Sequence, residues 1–534
     1  MGDKGASNNR MELNGKSIIG QGRSGGSEKT FYAVNAATGE RLEPAFHAAA
    51  EPDLERAMAL ATAAFPVYRG LARARRAAFL RQIAGNLEGL GDALVHRVMA
   101  ESALPEGRVR GELGRTCFQL RFFAGIVEEG SWVDARIDTA DPDRKPLPRQ
   151  DLRSMLRPLG PVAVFCASNF PLAFSVAGGD TASAYAAGCP VVVKAHSSHL
   201  GTAEMCGAAI RDAAAQTAMP EGVFSLLFTE GHRMAQALVA HPAIKAGGFT
   251  GSRGGGLTLL AIAQKRAEPI PFYAEMSSVN PVFILPNALQ QRGAQIAAGL
   301  HGSITLGVGQ FCTNPGVVML PVGQSGDAVV SALGEKLRAT APAAMLNRNI
   351  LQTYGKAVAA RAGDVRVRSV AAGQQPANAA APALFEADAK TFLKTPELSE
   401  EMFGPASILV RYEGLGQALA LAATMEGNLT ATIHHAPGDE EACAKLIAAL
   451  ETRVGRIVFN GYPTGVEVCQ AMVHGGPYPS TSDGRSTSVG ARAIDRFVRA
   501  VCYQDAPAEV LPEELRDGNP AGVMRVLNGV RGRE

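Results

Sequence analysis

Paired cysteines and an excess of one charge are both missing from this sequence. The eight cysteines stand apart, with neither C-x-x-C pairs nor the Cys/His spacing of a zinc site, so no disulfide framework and no metal site are expected. The 52 basic and 50 acidic residues leave a net charge of +2. That balance supplies no general field for nucleic acid or an anionic membrane, and we expect neither as a partner.

Long apolar segments are also scarce. The most apolar run, residues 161–179, is interrupted by Ser168, Asn169 and Pro171, which makes it a poor membrane span. The first twenty residues contain no apolar stretch of signal-peptide length, and Ala6 stands where a myristoylation motif requires Ser or Thr. We therefore expect a cytoplasmic protein that does not associate with membranes.

The chain of 534 residues exceeds what one hydrophobic core usually serves, so we expect more than one lobe. Apolar positions recurring at three and four predict successive helices over 52–129, namely 52–70, 73–102 and 108–129. Short β-rich segments then alternate with Ala-rich helical ones, which predicts a parallel sheet covered on both faces and favours nucleotide binding. The expected fold class is α/β, with one lobe over 1–140 and 159–274 and a second over 275–485.

One glycine-rich turn points to an anionic ligand. The stretch FTGSRGGG, residues 249–256, follows an apolar segment and leads into a predicted helix. Glycines at such a turn let the backbone approach a phosphate, and a helix N-terminus favours the anion. The G-x-G-x-x-G spacing is absent, so this stretch alone is weak support.

Five further motifs, in a fixed order along the chain, strengthen the interpretation of the glycine-rich turn as a phosphate site. They are CASNFPLAFS (166–175), VVVKAHSSH (191–199), YAEMSSVNP (273–281), GQFCTNPG (309–316) and EEMFGPAS (400–407). Together with FTGS they resemble the aldehyde dehydrogenase superfamily, over nearly the whole chain. The resemblance implies a Rossmann-type cofactor-binding lobe, an α/β catalytic lobe and a small oligomerisation arm.

The resemblance also implies three catalytic roles. Cys312 would attack the aldehyde as a thiolate, the Asn169 amide and the backbone N–H of Cys312 would hold the oxyanion, and Glu275 would activate the water that releases the acid. The structural alternatives are a core cysteine, a turn-capping asparagine and a surface carboxylate. The remaining cysteines lie mostly in apolar or Ala-rich surroundings typical of inert packing.

Cofactor contacts follow from the same match. Where many NAD-using members have a Glu, three residues after the Lys of Val-x-Lys, this chain has Ser197; a small hydroxyl there permits the 2′-phosphate of NADP, with NAD also possible. Arg233 would bind that phosphate or, equally, is a solvated helix residue. The other expected cofactor residues are Lys194, Gly251, Ser252, Gly256, Glu401 and Phe403.

The substrate side is less defined. Four stretches resemble a branch containing NADP-preferring fatty or general aldehyde dehydrogenases and 2-oxoglutarate semialdehyde dehydrogenases, of which we favour the latter. They are KAHSSH, GGPYPSTSD, TSVGARAIDRFVR (487–499) and the Met-Ser-Ser-Val after Glu275. The helix at 114–125 places one cation and aromatic walls on one face, although core packing explains these residues equally well. The candidate substrate residues are Arg115, Phe118, Gln119, Phe170 and His474.

Three alternatives to aldehyde oxidation are less well supported by the sequence. A coenzyme A-acylating enzyme needs no water activation, which the presence of Glu275 disfavours, and a purely structural family member would not need Cys312 or Asn169. A cysteine hydrolase would need a His partner such as His474, but no motif supports it. Residues 141–158 and 486–505 resemble the family's oligomerisation strands, with 506–534 as a C-terminal tail, so we expect a homodimer or homotetramer.

Overall fold

The computed structural model describes residues 12–25, 27–372 and 375–533. The leader over 1–11, for which no targeting segment is expected, lies outside the described residues. No helix in the described part of the chain is long and apolar enough to cross a membrane. The helices are α1 (Glu51–Tyr68), α2 (Arg73–Gly89), α3 (Gly91–Ser102), α4 (Glu106–Glu129), α5 (Gly179–Ala187), α6 (Leu200–Gln216), α7 (Arg233–Ala240), α8 (Arg253–Lys265), α9 (Pro286–Thr305), α10 (Gln324–Ala339), α11 (Arg348–Ala362), α12 (Ala389–Lys394), α13 (Gly414–Thr424) and α14 (Glu440–Leu450).

The strands form three larger sheets and a hairpin. They are β1 (Ile18–Ile19), β2 (Gly22–Arg23), β3 (Thr30–Val34), β4 (Arg41–His47), β5 (Ala135–Asp138), β6 (Leu152–Pro158), β7 (Val162–Phe165), β8 (Val191–Lys194), β9 (Phe224–Leu227), β10 (Ala246–Thr250), β11 (Phe272–Glu275), β12 (Val282–Ile284), β13 (Val317–Pro321), β14 (Arg368–Ala372), β15 (Ala383–Asp388), β16 (Ala406–Tyr412), β17 (Asn428–His434), β18 (Val454–Phe459), β19 (Val498–Gln504), β20 (Arg525–Leu527) and β21 (Val530–Gly532).

The first sheet has the order β11-β10-β7-β8-β9-β1-β2. Its first five strands are parallel, and β1 closes it by pairing antiparallel with β9. The central strands β7, β8 and β9 are almost wholly apolar and buried, because helices cover both faces of the sheet. This lobe confirms the predicted α/β class.

The second sheet has the order β14-β15-β16-β13-β12-β17-β18. All neighbours pair in parallel except β14, which runs antiparallel to β15. Helices α9 and α10 pack on one face, around Leu300 and Leu333, and α11 to α14 pack around the core on the other. It forms the second α/β lobe.

The third sheet, β19-β6-β5-β20-β21, joins distant parts of the chain. β6 pairs antiparallel with β19 over the register Leu152↔Gln504 to Pro158↔Val498. β20 pairs in parallel with β5. The segment 506–534, expected to be a separate tail, thus contributes two strands to the sheet of the arm, and 135–138 from the first predicted lobe belongs to it as well.

Candidate active site

Two sheet edges converge on the candidate site. Lys194 and Glu275 end β8 and β11, so they lie at the carboxyl edge of the first sheet. Cys312 and Glu401 lie in the connections that enter β13 and β16, at the amino edge of the second sheet. Ligands of open parallel sheets bind at the carboxyl edge. The motifs recognised in the sequence are therefore brought together between the lobes.

The loop that carries Cys312 is held from below by Asn280. Cys312 follows a short 3-10 turn, Leu306–Gly309. The Asn280 amide donates to the carbonyls of Cys312 and Asn314, at 2.9 Å each. Asn280 is fully buried with φ of +47°, and its side-chain oxygen accepts a hydrogen bond from Ser278 at 2.8 Å. The cysteine backbone is therefore fixed before any substrate arrives.

Three reactive side chains meet above that loop. The Cys312 Sγ lies 3.4 Å from His474 Nε2, and the same nitrogen lies 2.9 Å from Glu275 Oε1. Ser488 Oγ donates to the other Glu275 oxygen at 2.6 Å. His474 is 1% exposed and Glu275 4% exposed. His474, expected only to line the pocket, instead lies between the candidate nucleophile and the candidate base.

The electrostatics of these groups oppose one another. Burial, followed by the charge of Glu275, raises the pKa of the Cys312 thiol well above its usual range. Burial would also raise the pKa of Glu275, but the charge and hydrogen bond of His474 and the Ser488 hydroxyl outweigh it and lower that pKa. The resting pair is thus a protonated thiol beside an ionised carboxylate.

Asn169 lies beside the cysteine. Its amide donates to the carbonyl of Gln310 at 3.1 Å, two residues before Cys312. The following residue, Phe170, packs edge-on against Phe311 with ring centroids 5.4 Å apart. Arg108 lies over the Phe170 ring at 4.6 Å. An amide donor and an aromatic wall therefore flank the thiol on the side of α4.

The substrate face predicted on α4 is divided. Arg115 donates to the Val466 carbonyl at 3.4 Å, and its guanidinium lies over the Phe174 ring, 5.3 Å from the ring centroid. Gln119 is 2% exposed and packs against the α5 N-terminus at Gly179. Phe118 is 51% exposed and stacks on its own helix. Arg115 points inward at the site, whereas Phe118 faces outward.

A second guanidinium comes from the other lobe. Arg456, on β18, donates to the carbonyls of Gly465 and Pro463 at 3.0 and 2.7 Å. Arg115 and Arg456 therefore hold the same loop, 463–466. The negative charge of a Cys312 thiolate acts on both guanidiniums, where it opposes the lowering of their pKa by burial. Both cations lie within electrostatic reach of the nucleophile.

The glycine-rich turn can take a pyrophosphate. Ser252 caps α8, accepting from Gly255 N at 3.3 Å. A Cβ on Gly251 would lie 2.7 Å from the Phe249 ring, and one on Gly256 would lie 2.8 Å from Met276. Bare backbone is required at both places, and the N-terminus of a 13-residue helix faces the gap. These features fit a dinucleotide phosphate.

Other cofactor candidates lie along the same edge. The Lys194 ammonium makes no hydrogen bond with the described residues, and burial lowers its pKa. Burial raises the pKa of Glu401 to about 7, against the opposing hydrogen bonds of Ser277 and Ser278. Ser197 and Arg233 are exposed and follow the neighbouring parallel strands β8 and β9. Phe403 is half-buried beside Glu401.

Several residues of this site were missed by the sequence reasoning. Ser488 orients Glu275 from 213 residues away, and Arg456 belongs to a strand otherwise assigned only a structural role. Arg456 has no local motif that could have exposed it, and Ser488 lies in TSVGARAIDRFVR (487–499), which matched the branch without pointing to a role for the serine. Asn280 has a local motif: it follows Glu275 closely in YAEMSSVNP and precedes a proline. An asparagine that precedes a proline within a motif already assigned to the site was the available signal.

Comparison with known proteins agrees with this geometry. The aldehyde dehydrogenase family profile matches residues 23–500. Alpha-ketoglutaric semialdehyde dehydrogenase 2 of Azospirillum brasilense is 51% identical, over 97% of this chain and 99% of its own length. Alpha-ketoglutaric semialdehyde dehydrogenase of Acinetobacter baylyi is 45% identical over the same shares.

The fold is likewise similar to solved structures. Aldehyde dehydrogenase 21 from Physcomitrella patens, solved with the reaction product succinate, superposes with a TM-score of 0.78 at 20% identity, covering 93% of this chain and 99% of that one. Combined with the family match and the meeting of Cys312, Glu275 and Asn169 at one cleft, this establishes what the chain is. It belongs to the aldehyde dehydrogenase family and is an oxidoreductase that converts aldehydes to carboxylic acids with NAD⁺ or NADP⁺.

Proposed function

We propose that this enzyme oxidises 2-oxoglutarate semialdehyde (2,5-dioxopentanoate) to 2-oxoglutarate, preferentially with NADP⁺. Two relatives named for that semialdehyde, 51% and 45% identical along almost their full length, support the substrate. The observation that carries the proposal within this chain is the pair of guanidiniums, Arg115 and Arg456, near Cys312.

Both arginines keep a free donor. Arg115 Nη1 and Arg456 Nε are buried and have no hydrogen-bond partner in the described part of the chain. Neither side chain forms an ion pair there. A buried donor without a partner costs free energy, and a carboxylate that accepts from it recovers that cost. A five-carbon aldehyde with a carboxylate at its far end offers that acceptor, whereas an alkyl chain leaves both cations unpaired.

The first chemical step follows from the ionised carboxylate. Glu275, which is hydrogen-bonded to Cys312, can accept the thiol proton of that cysteine. His474 Nε2 donates to the same carboxylate at 2.9 Å and holds it in place. The thiolate attacks the aldehyde carbon, and the Asn169 amide and the backbone N–H of Cys312 donate to the oxyanion.

The second half of the reaction uses the carboxylate. When bound, the nicotinamide ring accepts the hydride, and a thioester on Cys312 is left. Glu275, ionised and held through its other oxygen by Ser488, takes a proton from the water that attacks this thioester. The products are the acid and free Cys312. A base in this position favours hydrolysis over transfer to coenzyme A.

The NADP preference rests on Ser197 and Arg233. Both are exposed at the carboxyl ends of adjacent strands, the edge at which the ribose of a dinucleotide lies. A hydroxyl at 197 does not repel a 2′-phosphate as a carboxylate would, and the Arg233 guanidinium, which has no side-chain partner in the part of the chain that the structure describes, supplies a donor. The Lys194 ammonium, likewise without a partner in that part, would bind the ribose.

A homodimer or homotetramer in the cytoplasm completes the proposal. Among the described strands, β19 and β18 each end a sheet, which leaves one side of each without a neighbouring strand. Pairing with another copy would satisfy those backbone groups. All eight cysteines are free, as a reducing compartment keeps them.

Initial rates test the substrate and cofactor together. We would compare 2,5-dioxopentanoate with 5-oxopentanoate, which lacks the 2-oxo group, and with pentanal, which also lacks the carboxylate, each with NAD⁺ and NADP⁺. We expect kcat/KM to fall roughly 100-fold or more from the oxo acid to pentanal, and NADP⁺ to be preferred. Equal or faster oxidation of pentanal or longer alkanals would refute the substrate and support a fatty aldehyde dehydrogenase.

A further inference from the structure

The three side chains at the centre of the site also form a set of metal ligands. Glu275, Cys312 and His474 each offer one ligand atom, and these atoms all lie within 4.8 Å of one another. Within residues 12–25, 27–372 and 375–533, no other group of three or more Cys, His, Asp or Glu side chains converges in this way. A thiolate, an imidazole and a carboxylate are three donor types that Zn²⁺ accepts together.

We propose that the active site binds one Zn²⁺ through Cys312 Sγ, His474 Nε2 and a Glu275 carboxylate oxygen, and that this binding reversibly inactivates the enzyme. The dehydrogenase reaction itself needs no metal, and Zn²⁺ acts here as an inhibitor. It does not depend on which aldehyde is oxidised, so it stands apart from the proposed substrate.

The observed separations suit tetrahedral coordination. Zn–S and Zn–N bonds of about 2.3 and 2.05 Å at a tetrahedral angle place sulfur and nitrogen about 3.6 Å apart, and nitrogen and oxygen about 3.4 Å apart. The corresponding distances here are 3.4 Å for Sγ to Nε2 and 2.9 Å for Nε2 to Oε1. These two separations lie within about half an ångström of the tetrahedral values, and the sulfur lies within 4.8 Å of the carboxylate ligand atom.

The ligands are also held in place. Glu275 Oε1 is buried against His474 Nε2 at 2.9 Å, while Ser488 holds Oε2. The His474 backbone N–H donates to Thr487 Oγ1 at 2.8 Å. Metal ligands are oriented by such outer contacts, and a ligand set fixed in advance loses little conformational entropy on binding. A cation that binds here would replace the proton between Glu275 Oε1 and His474 Nε2 and pair with both ligand atoms.

Coordination would block each catalytic group at once. The Cys312 sulfur–hydrogen bond and the His474 Nε2–hydrogen bond break, both protons pass to the buffer, and sulfur and nitrogen each form a bond to Zn²⁺ with no change of oxidation state. The nucleophile, the catalytic carboxylate and the imidazole that holds it are then all bound to the metal. Three protein ligands leave a fourth position, open toward the cleft, for water.

Metal titration of the cofactor-free, full-length enzyme tests the site. Calorimetry with Zn²⁺ should give one site per chain, and Cd²⁺ should give a thiolate charge-transfer band at the same stoichiometry. Zn²⁺ should abolish aldehyde oxidation and protect Cys312 from alkylation. Addition of a chelator should restore the activity. Activity before the metal is added reports the dehydrogenase function separately.

Variants identify the ligands. Cys312→Ala should abolish the Cd²⁺ band, and His474→Gln and Glu275→Gln should each weaken Zn²⁺ binding at least tenfold, as loss of one ligand does in metal sites. Cys502→Ser, which removes an exposed cysteine remote from the cleft, should change nothing. The proposal fails if no stoichiometric Zn²⁺ binds, or if binding survives in Cys312→Ala or is abolished by Cys502→Ser.

Discussion

Replacement of Arg115 by methionine probes the origin of substrate choice. Methionine keeps much of the apolar stem that packs on Phe174 but removes the guanidinium and its unpaired Nη1. The distal carboxylate of 2,5-dioxopentanoate then loses one charge-assisted hydrogen bond. Arg456 remains, so the pocket keeps one cation.

The expected fall in kcat/KM for Arg115→Met follows from the strength of the lost hydrogen bond. A hydrogen bond to a charged group contributes about 1.5–3 kcal/mol. Because each 1.4 kcal/mol is a factor of ten, the loss corresponds to roughly a 10- to 100-fold fall in kcat/KM for the oxo acid. Pentanal has no carboxylate to lose, so its kcat/KM should change by less than about threefold.

The assay is NADPH formation at subsaturating aldehyde for wild type and variant with both substrates. Arg121→Met is the matched control, since Arg121 lies on the same helix but is exposed and bonded to Glu88 at 2.6 Å. It should leave both substrates unaffected. Equal losses for the oxo acid and pentanal in Arg115→Met would show that Arg115 only supports the loop at Val466, and would refute the carboxylate role.

Three further changes test other parts of the account. Cys312→Ala should bind NADPH with unchanged Kd by fluorescence titration while oxidation falls roughly a thousandfold or more; turnover near wild type would overturn its role. Ser197→Glu should lower the NADP⁺/NAD⁺ ratio of kcat/KM at least about tenfold through charge repulsion, and an unchanged ratio would place the 2′-phosphate elsewhere. Asn280→Ala removes the donor for two carbonyls and puts alanine, which tolerates positive φ less well than asparagine, at this position. Denaturant unfolding should therefore show a free energy of unfolding lower by about 3 kcal/mol, with reduced kcat. Full stability and activity would contradict the anchoring role.

Local patterns predicted the helices well but not their breaks. The stretch 73–102, predicted as one continuous helical segment, divides at Gly91, where φ is +50° and the chain restarts as α3. Strands such as β8 were predictable because a parallel strand covered on both faces is a short, fully apolar run. β11 and the tail strand β20 lack that signature, and the pairing of β20 with β5 joins segments almost 400 residues apart, which no local pattern encodes.

The candidate site shows the same division. Cys312, Glu275 and Asn169 could be proposed from the sequence because each lies in a short motif, and their catalytic roles stay predictions. The contact between Cys312 and His474 spans 162 residues and depends on how the segment after β18 folds back over the cleft. Arg456 was hidden for a related reason: its strand marks it as structural, and only the tertiary fold gives its guanidinium an electrostatic interaction with Cys312.

The central claim is that Cys312 carries the acyl group and Glu275 releases it. Intact and peptide mass spectrometry of Glu275→Gln, quenched in acid after mixing with 2,5-dioxopentanoate and NADP⁺, tests it directly. The account predicts an acyl adduct that accumulates on the peptide containing Cys312 and decays slowly. An adduct on another cysteine, or turnover at the wild-type rate with no adduct, would contradict it.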